Sequence, residues 1–74
     1  MKYEVIREIF NQCSGNQMRD VDMVEVEIAD LDAYVEQFRT GKDIEEERSV
    51  EEDGTVVYDL VVDGLKQRIS FTEV

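Results

Sequence analysis

Histidine and proline are absent from this chain, and cysteine occurs once. Without histidine there is no ordinary base for Ser–His or Cys–His chemistry. One cysteine and no histidine cannot complete a tetrahedral nitrogen and sulfur shell around a metal within one chain. A lone Cys13 forms no internal disulfide, so a reducing compartment is expected, and cytoplasm is the default. No proline-rich or low-complexity linker divides the sequence, so residues 1–74 are expected to form a single domain.

Basic residues are scarce. Eight Lys and Arg stand against nineteen Asp and Glu, for a net charge of −11. That sign opposes non-specific binding to nucleic acid phosphates and to anionic lipid. Long apolar runs are missing too. None can span a membrane, and the N-terminus alternates charge with apolar residues where a secretory leader would be continuous. Neither nucleic acid nor membrane is expected as a partner. A chain this short buries only about 60% of its unfolded surface, so it gains from docking another protein or a second copy of itself.

What is present is a C-terminal meander over residues 44–74. Asp53-Gly54 and Asp63-Gly64 separate three runs rich in β-branched and aromatic residues. Asp-Gly between apolar runs is a strong hairpin signal, because tight hairpin turns need positive φ and glycine takes it without strain. A two-residue Asp63-Gly64 loop sets Val62 opposite Leu65, Leu60 opposite Gln67, Tyr58 opposite Ile69 and Val56 opposite Phe71. Seven of these eight are apolar and make a core face. On the other face Asp59 meets Arg68, a cross-strand pair that contributes ~0.2–1 kcal/mol. A two-residue Asp53-Gly54 loop would put Val50 on the outer face, and the preferred three-residue Glu52-Asp53-Gly54 loop sets Val50 opposite Val56 and Ile44 opposite Val62. It leaves Glu46 and Arg48 on the core side, which suits an open edge and discourages edge-to-edge aggregation.

Upstream, residues 2–13 place Val5, Ile6, Ile9, Phe10 and Cys13 on one helical face, and Gly15 stands where a helix would end. A strand is the competing reading, with Val5 facing Val26 and Tyr3 facing Ile28. It strands Ile6 and Phe10 on the back face and sets Glu4 opposite Glu27, so the helix is preferred. Val24-Glu25-Val26-Glu27-Ile28 alternates strictly and predicts a strand within residues 18–29. Residues 30–40 predict a helix. Leu31, Tyr34, Val35 and Phe38 share one face, Asp30 caps the start and Gly41 follows the end.

The expected fold is therefore α+β in two layers, α-β-α-β-β-β. Its mainly antiparallel four-stranded sheet ends in the three-stranded meander. The alternative is ββαβββ with residues 2–13 as a strand.

Few residues suggest chemistry. Cys13 precedes a small polar loop and is the candidate thiol. A helix C-terminus and an acidic protein both raise its pKa, so the packing role is favoured. Glu45, Glu47 and Glu51, with Asp59, could gather a hard cation weakly, but nothing resembles an Asp-x-Asp-x-Asp-Gly calcium loop. No metal site, cofactor or catalytic residue is assigned. The candidate interaction surface is Val57 and Val61 on the back of the sheet, with Asn16 and Arg19 from the loop region. The function expected is a small acidic cytoplasmic protein-interaction or regulatory module without catalytic activity. The alternative is a thiol- or metal-dependent role centred on Cys13 and the loop over residues 14–20. An acidic mimic of nucleic acid is a third reading.

Overall fold

Asp63 and Gly64 both take positive φ, 49° and 86°, in the computed structural model, which describes residues 1–10 and 19–74. That backbone makes the two-residue hairpin turn matching the twist of its flanking strands, β4 (Val56–Val62) and β5 (Leu65–Glu73). Their register is the expected one, with Val62 opposite Leu65 and Val56 opposite Phe71. On the other face the Arg68 Nε donates to Asp59 Oδ1 at 2.9 Å. The preceding hairpin joins β3 (Ile44–Val50) to β4. The Glu51 N–H donates to the Thr55 carbonyl at 2.8 Å, enclosing Glu52, Asp53 and Gly54 as a three-residue loop with Gly54 at φ 90°. Val50 then faces Val56 and Ile44 faces Val62, again as expected. The Thr55 N–H donates to Asp53 Oδ1 at 3.0 Å, which holds that carboxyl below its ordinary range.

The N-terminal third overturns the expected α-β-α-β-β-β layout. Lys2–Phe10 is a strand, β1, and it pairs antiparallel with β2 (Arg19–Glu27) on one side and β5 on the other. Among the described residues the sheet has five strands in the order β2-β1-β5-β4-β3, all antiparallel, with one short α-helix. The four-stranded, two-helix arrangement is thus incorrect. A helix over residues 2–13 would have buried its own apolar face but left β5, which carries Ile69 and Phe71, as an open edge. As a strand, β1 closes that edge. Its register also differs from the strand reading, since Tyr3 faces Val26 and Val5 faces Val24. Ile6 and Phe10 fall on the back face, where Phe10 lies beneath cationic groups, with Lys66 Nζ 5.5 Å from its ring centroid. Glu4 meets Glu25 rather than Glu27. Glu25 is in turn 3.3 Å from the Lys2 amine.

The helix is shorter than expected. Asp30 caps α1 (Leu31–Val35), its carboxylate accepting from the Asp32 N–H at 3.0 Å and the Ala33 N–H at 3.4 Å. A 3₁₀ turn over Glu36–Phe38 follows, and Arg39 ends it. The chain must leave there to reach the β4–β5 turn. The Lys42 and Asp43 N–H groups both donate to Asp63 Oδ1, at 3.1 and 3.0 Å, and the Asp63 N–H donates to the Asp43 carbonyl at 2.8 Å. No helix among the described residues is long and apolar enough to cross a membrane.

The core lies between α1 and one sheet face. Val35, Leu60, Ile69 and Phe71 have no solvent exposure, and Val5, Ile28, Tyr58 and Val62 are buried with them. Each such aliphatic or aromatic side chain contributes about 1.5–3 kcal/mol by leaving water. Three tyrosine rings stand edge-on to Phe71, from Tyr3, Tyr34 and Tyr58, at centroid distances of 6.4, 5.8 and 5.7 Å.

Gly41 is required for room and not for a left-handed backbone, which only Gly54 and Gly64 adopt among the described glycines. A Cβ there would lie 2.6 Å from Val62 Cγ1 and 2.7 Å from Asp63 Oδ2. Val62 is buried and the Asp63 carboxylate is held by two N–H groups, so neither yields readily. Gly41→Ala is expected to lower stability by about 1–3 kcal/mol, the range for overpacking. Urea unfolding would measure it, and a variant as stable as the parent would show that the connection has slack.

Candidate functional site

The outer face of the sheet, away from α1, was the expected interaction surface. Val57, expected to lie exposed there, is only 6% exposed. It forms the floor of a shallow hollow of about 330 Å³ lined by Ile6, Ser49, Asp59, Arg68 and Ser70. Val61 is half-buried between Glu45 and Lys66 on the neighbouring strands. Phe10 has Arg68 as well as Lys66 over its ring, at 6.0 Å. Lys2, Lys66 and Arg68 are interspersed among the outer carboxylates, which include Glu4, Glu8, Glu47 and Asp59. Charged side chains roof the apolar residues at the centre of this face.

Cys13 and Asn16 lie outside the described residues, as does nearly all of the 14–20 loop. Arg19 enters only as the first residue of β2, opposite Phe10. The structure therefore does not bring Arg19, Asn16 and Cys13 together with Val57 and Val61 in a described site. Among the described residues, no group of three or more Cys, Asp or Glu side chains is placed to hold a metal ion.

The other face carries an open apolar site that the sequence reading missed. Four strand spacings of about 4.8 Å make the sheet roughly 19 Å across, while a helix with its side chains is about 10–12 Å wide. One short helix therefore covers the middle strands and leaves both flanks. At the β3 flank, charge fills the gap. Arg39 donates through Nε to Glu46 Oε1, through Nη2 to Asp32 Oδ1 and through Nη1 to Glu36 Oε2, each at 2.7 Å. Its side chain is only 14% exposed. Arg48 lies over the Tyr58 ring at 5.7 Å, and burial pushes the Tyr58 phenol up. Glu46 and Arg48 are thus tolerated on the core side, because each has a partner at an open edge.

At the β2 flank a cleft of about 240 Å³ remains between the strand and the helix. Val5 and Val24, paired across the strands, make its floor, and Tyr34 and Phe38 make the helix wall. Val24 is 48% exposed although it points to the core side. Arg7 and Asp22, also paired across the strands, stand at the polar end. Arg7 is held in place. Its Nη2 donates to Gln67 Oε1 at 3.0 Å and its guanidinium lies 4.5 Å from the Phe38 ring centroid. The arrangement can bury an apolar side chain and meet a charge beside it. The missed signal was one of width. Had residues 2–10 been read as a strand, one helix with four apolar residues on its inner face would have been too narrow for the sheet.

Compared with family models, curated proteins and solved structures, the chain finds no match in any of the three.

Arg39 fixes the helix that walls the cleft. Its hydrogen bond holds the Asp32 carboxyl below the ordinary value of 3.8. A carboxyl depressed by folding binds a proton less readily folded than unfolded. Its contribution is therefore present above 3.8 and lost as pH falls through the lower folded value. Arg39→Met is expected to be less stable than the parent at neutral pH, with a gap that narrows below about pH 4. Urea midpoints across an acid series would read this, and a gap independent of pH would show that the contribution is packing alone.

Proposed function

We propose that this protein is a binding module that docks another protein on the flank of the sheet left bare by α1. It acts through that contact and not by catalysis. The observation that carries this reading is the cleft between β2 and α1, where Val24 remains 48% exposed over Val5, Tyr34 and Phe38. An apolar patch rimmed by polar groups is the ordinary form of an interaction site. The net charge of −11 favours a partner with a basic surface and disfavours nucleic acid and anionic membranes. A single cysteine with no second to pair with suits the cytoplasm as the place of action.

Val24→Lys tests the reading. The site is half-exposed, so the fold is expected to survive, as circular dichroism would verify. The substitution removes the apolar floor and opposes a basic partner. Immobilised parent and variant are exposed to the same cell extract. The expected result is a defined protein retained by the parent and lost by the variant. Equal retention by both would remove the cleft as the docking surface.

A further inference from the structure

We propose that the docked partner adds a strand to the free edge of β2, and that this strand carries apolar and basic residues on the face toward α1. This rests on the docking reading above and specifies its mode and the partner's chemistry. Among the described residues, β2 pairs only with β1, and no element lies along its other side. An edge strand presents a row of unpaired N–H and C=O groups that a second chain can pair with.

The two edges of the sheet differ. β3 carries Glu45-Glu46-Glu47-Arg48, with Glu46 tied to Arg39 and Arg48 over Tyr58. Inward-pointing charges blunt an edge; β2 carries charge too, in Asp20, Asp22, Glu25 and Glu27, but its inward Asp20 and Asp22 have no ion pair among the described residues and so stand open to a basic strand. β2 is nine residues long and has no proline. Its pairing with β1 runs through nine consecutive partners with none skipped, so no bulge twists it away. It exposes Val21, Met23 and Val24 at 55%, 65% and 48%.

The register assigns the chemistry. The α1-side positions of β2 are Asp20, Asp22, Val24 and Val26. Neither Asp20 nor Asp22 has an ion pair among the described residues, whereas Glu25 meets Lys2 and Glu27 meets the N-terminal amine. An antiparallel strand laid beside β2 therefore reads apolar-x-apolar-x-basic-x-basic on that face. Its apolar residues fall against Val26 and Val24 at the cleft, and its basic residues against Asp22 and Asp20. A second copy of the chain fits less well, because its own β2 brings Asp20, Asp22, Glu25 and Glu27 into the same ladder.

The test uses synthetic peptides of about nine residues with the apolar-x-apolar-x-basic-x-basic pattern, titrated into the whole protein and followed by amide NMR. The expected result is perturbation along β2, weakened about tenfold or more when Glu replaces the two basic residues. N-methylation at alternate peptide residues distinguishes strand pairing from side-chain contact. One phase removes the N–H groups that face β2 and abolishes binding, while the other phase is tolerated. Three results would each overturn the proposal: no perturbation of β2, equal tolerance of both N-methyl phases, or β2 shifts that depend on protein concentration without peptide. If the peptides fail but Val24→Lys still releases a captured partner, strand addition falls and the docking reading stands. If neither has an effect, both fall.

Discussion

The edge-on contacts around Phe71 are what the rest of this structure depends on. Phe71 lies on β5, the central strand, and its ring meets Tyr3 of β1, Tyr58 of β4 and Tyr34 of α1. One residue thus joins three strands to the helix that covers them. Edge-to-face rings add about 0.5–1.5 kcal/mol per pair beyond the area they bury. In a domain this small that is a large share of the net stability. The helix is placed by Tyr34 and Val35, which meet the sheet at its centre, so whatever lies beyond the helix's width is left open.

The two flanks follow different rules. β3 is closed by electrostatics, with Arg39 gathering Asp32, Glu36 and Glu46 from helix and strand. An arginine that is mostly covered and held by several carboxylates is better ordered than an isolated surface pair. At β2 the cleft leaves Val24 half-exposed above a buried Val5. The chain as a whole carries a net charge of −11. The outer face, by contrast, shelters Val57 and Phe10 beneath charged side chains at its centre, and its exposed apolar residues, Val21 and Met23, lie on the β2 edge.

The meander was legible because its information is local. Asp63-Gly64 and Asp53-Gly54 require positive φ at particular positions, and the alternation of β4 then has one register that buries Tyr58, Leu60, Ile69 and Phe71. The start of α1 was legible for the same reason, since Asp30 caps it with its own carboxylate. Its end was not. The helix stops where Arg39 finds Glu46 and where Gly41 passes Val62, and both partners are distant in sequence.

The cleft was illegible because it depends on β1. Val5, Ile6, Ile9 and Phe10 suit one helical face as well as they suit a strand, and periodicity over so short a segment does not decide between them. By itself the sequence determined the Asp63-Gly64 turn and its register, favoured the three-residue loop before β4, and set the helix cap and the net charge of −11. Only the tertiary structure decided that residues 2–10 form the strand between β2 and β5. Pairing with both neighbours satisfies backbone groups that a helix there would have left open along β5. That one choice widened the sheet beyond its helix, and so exposed the β2 flank.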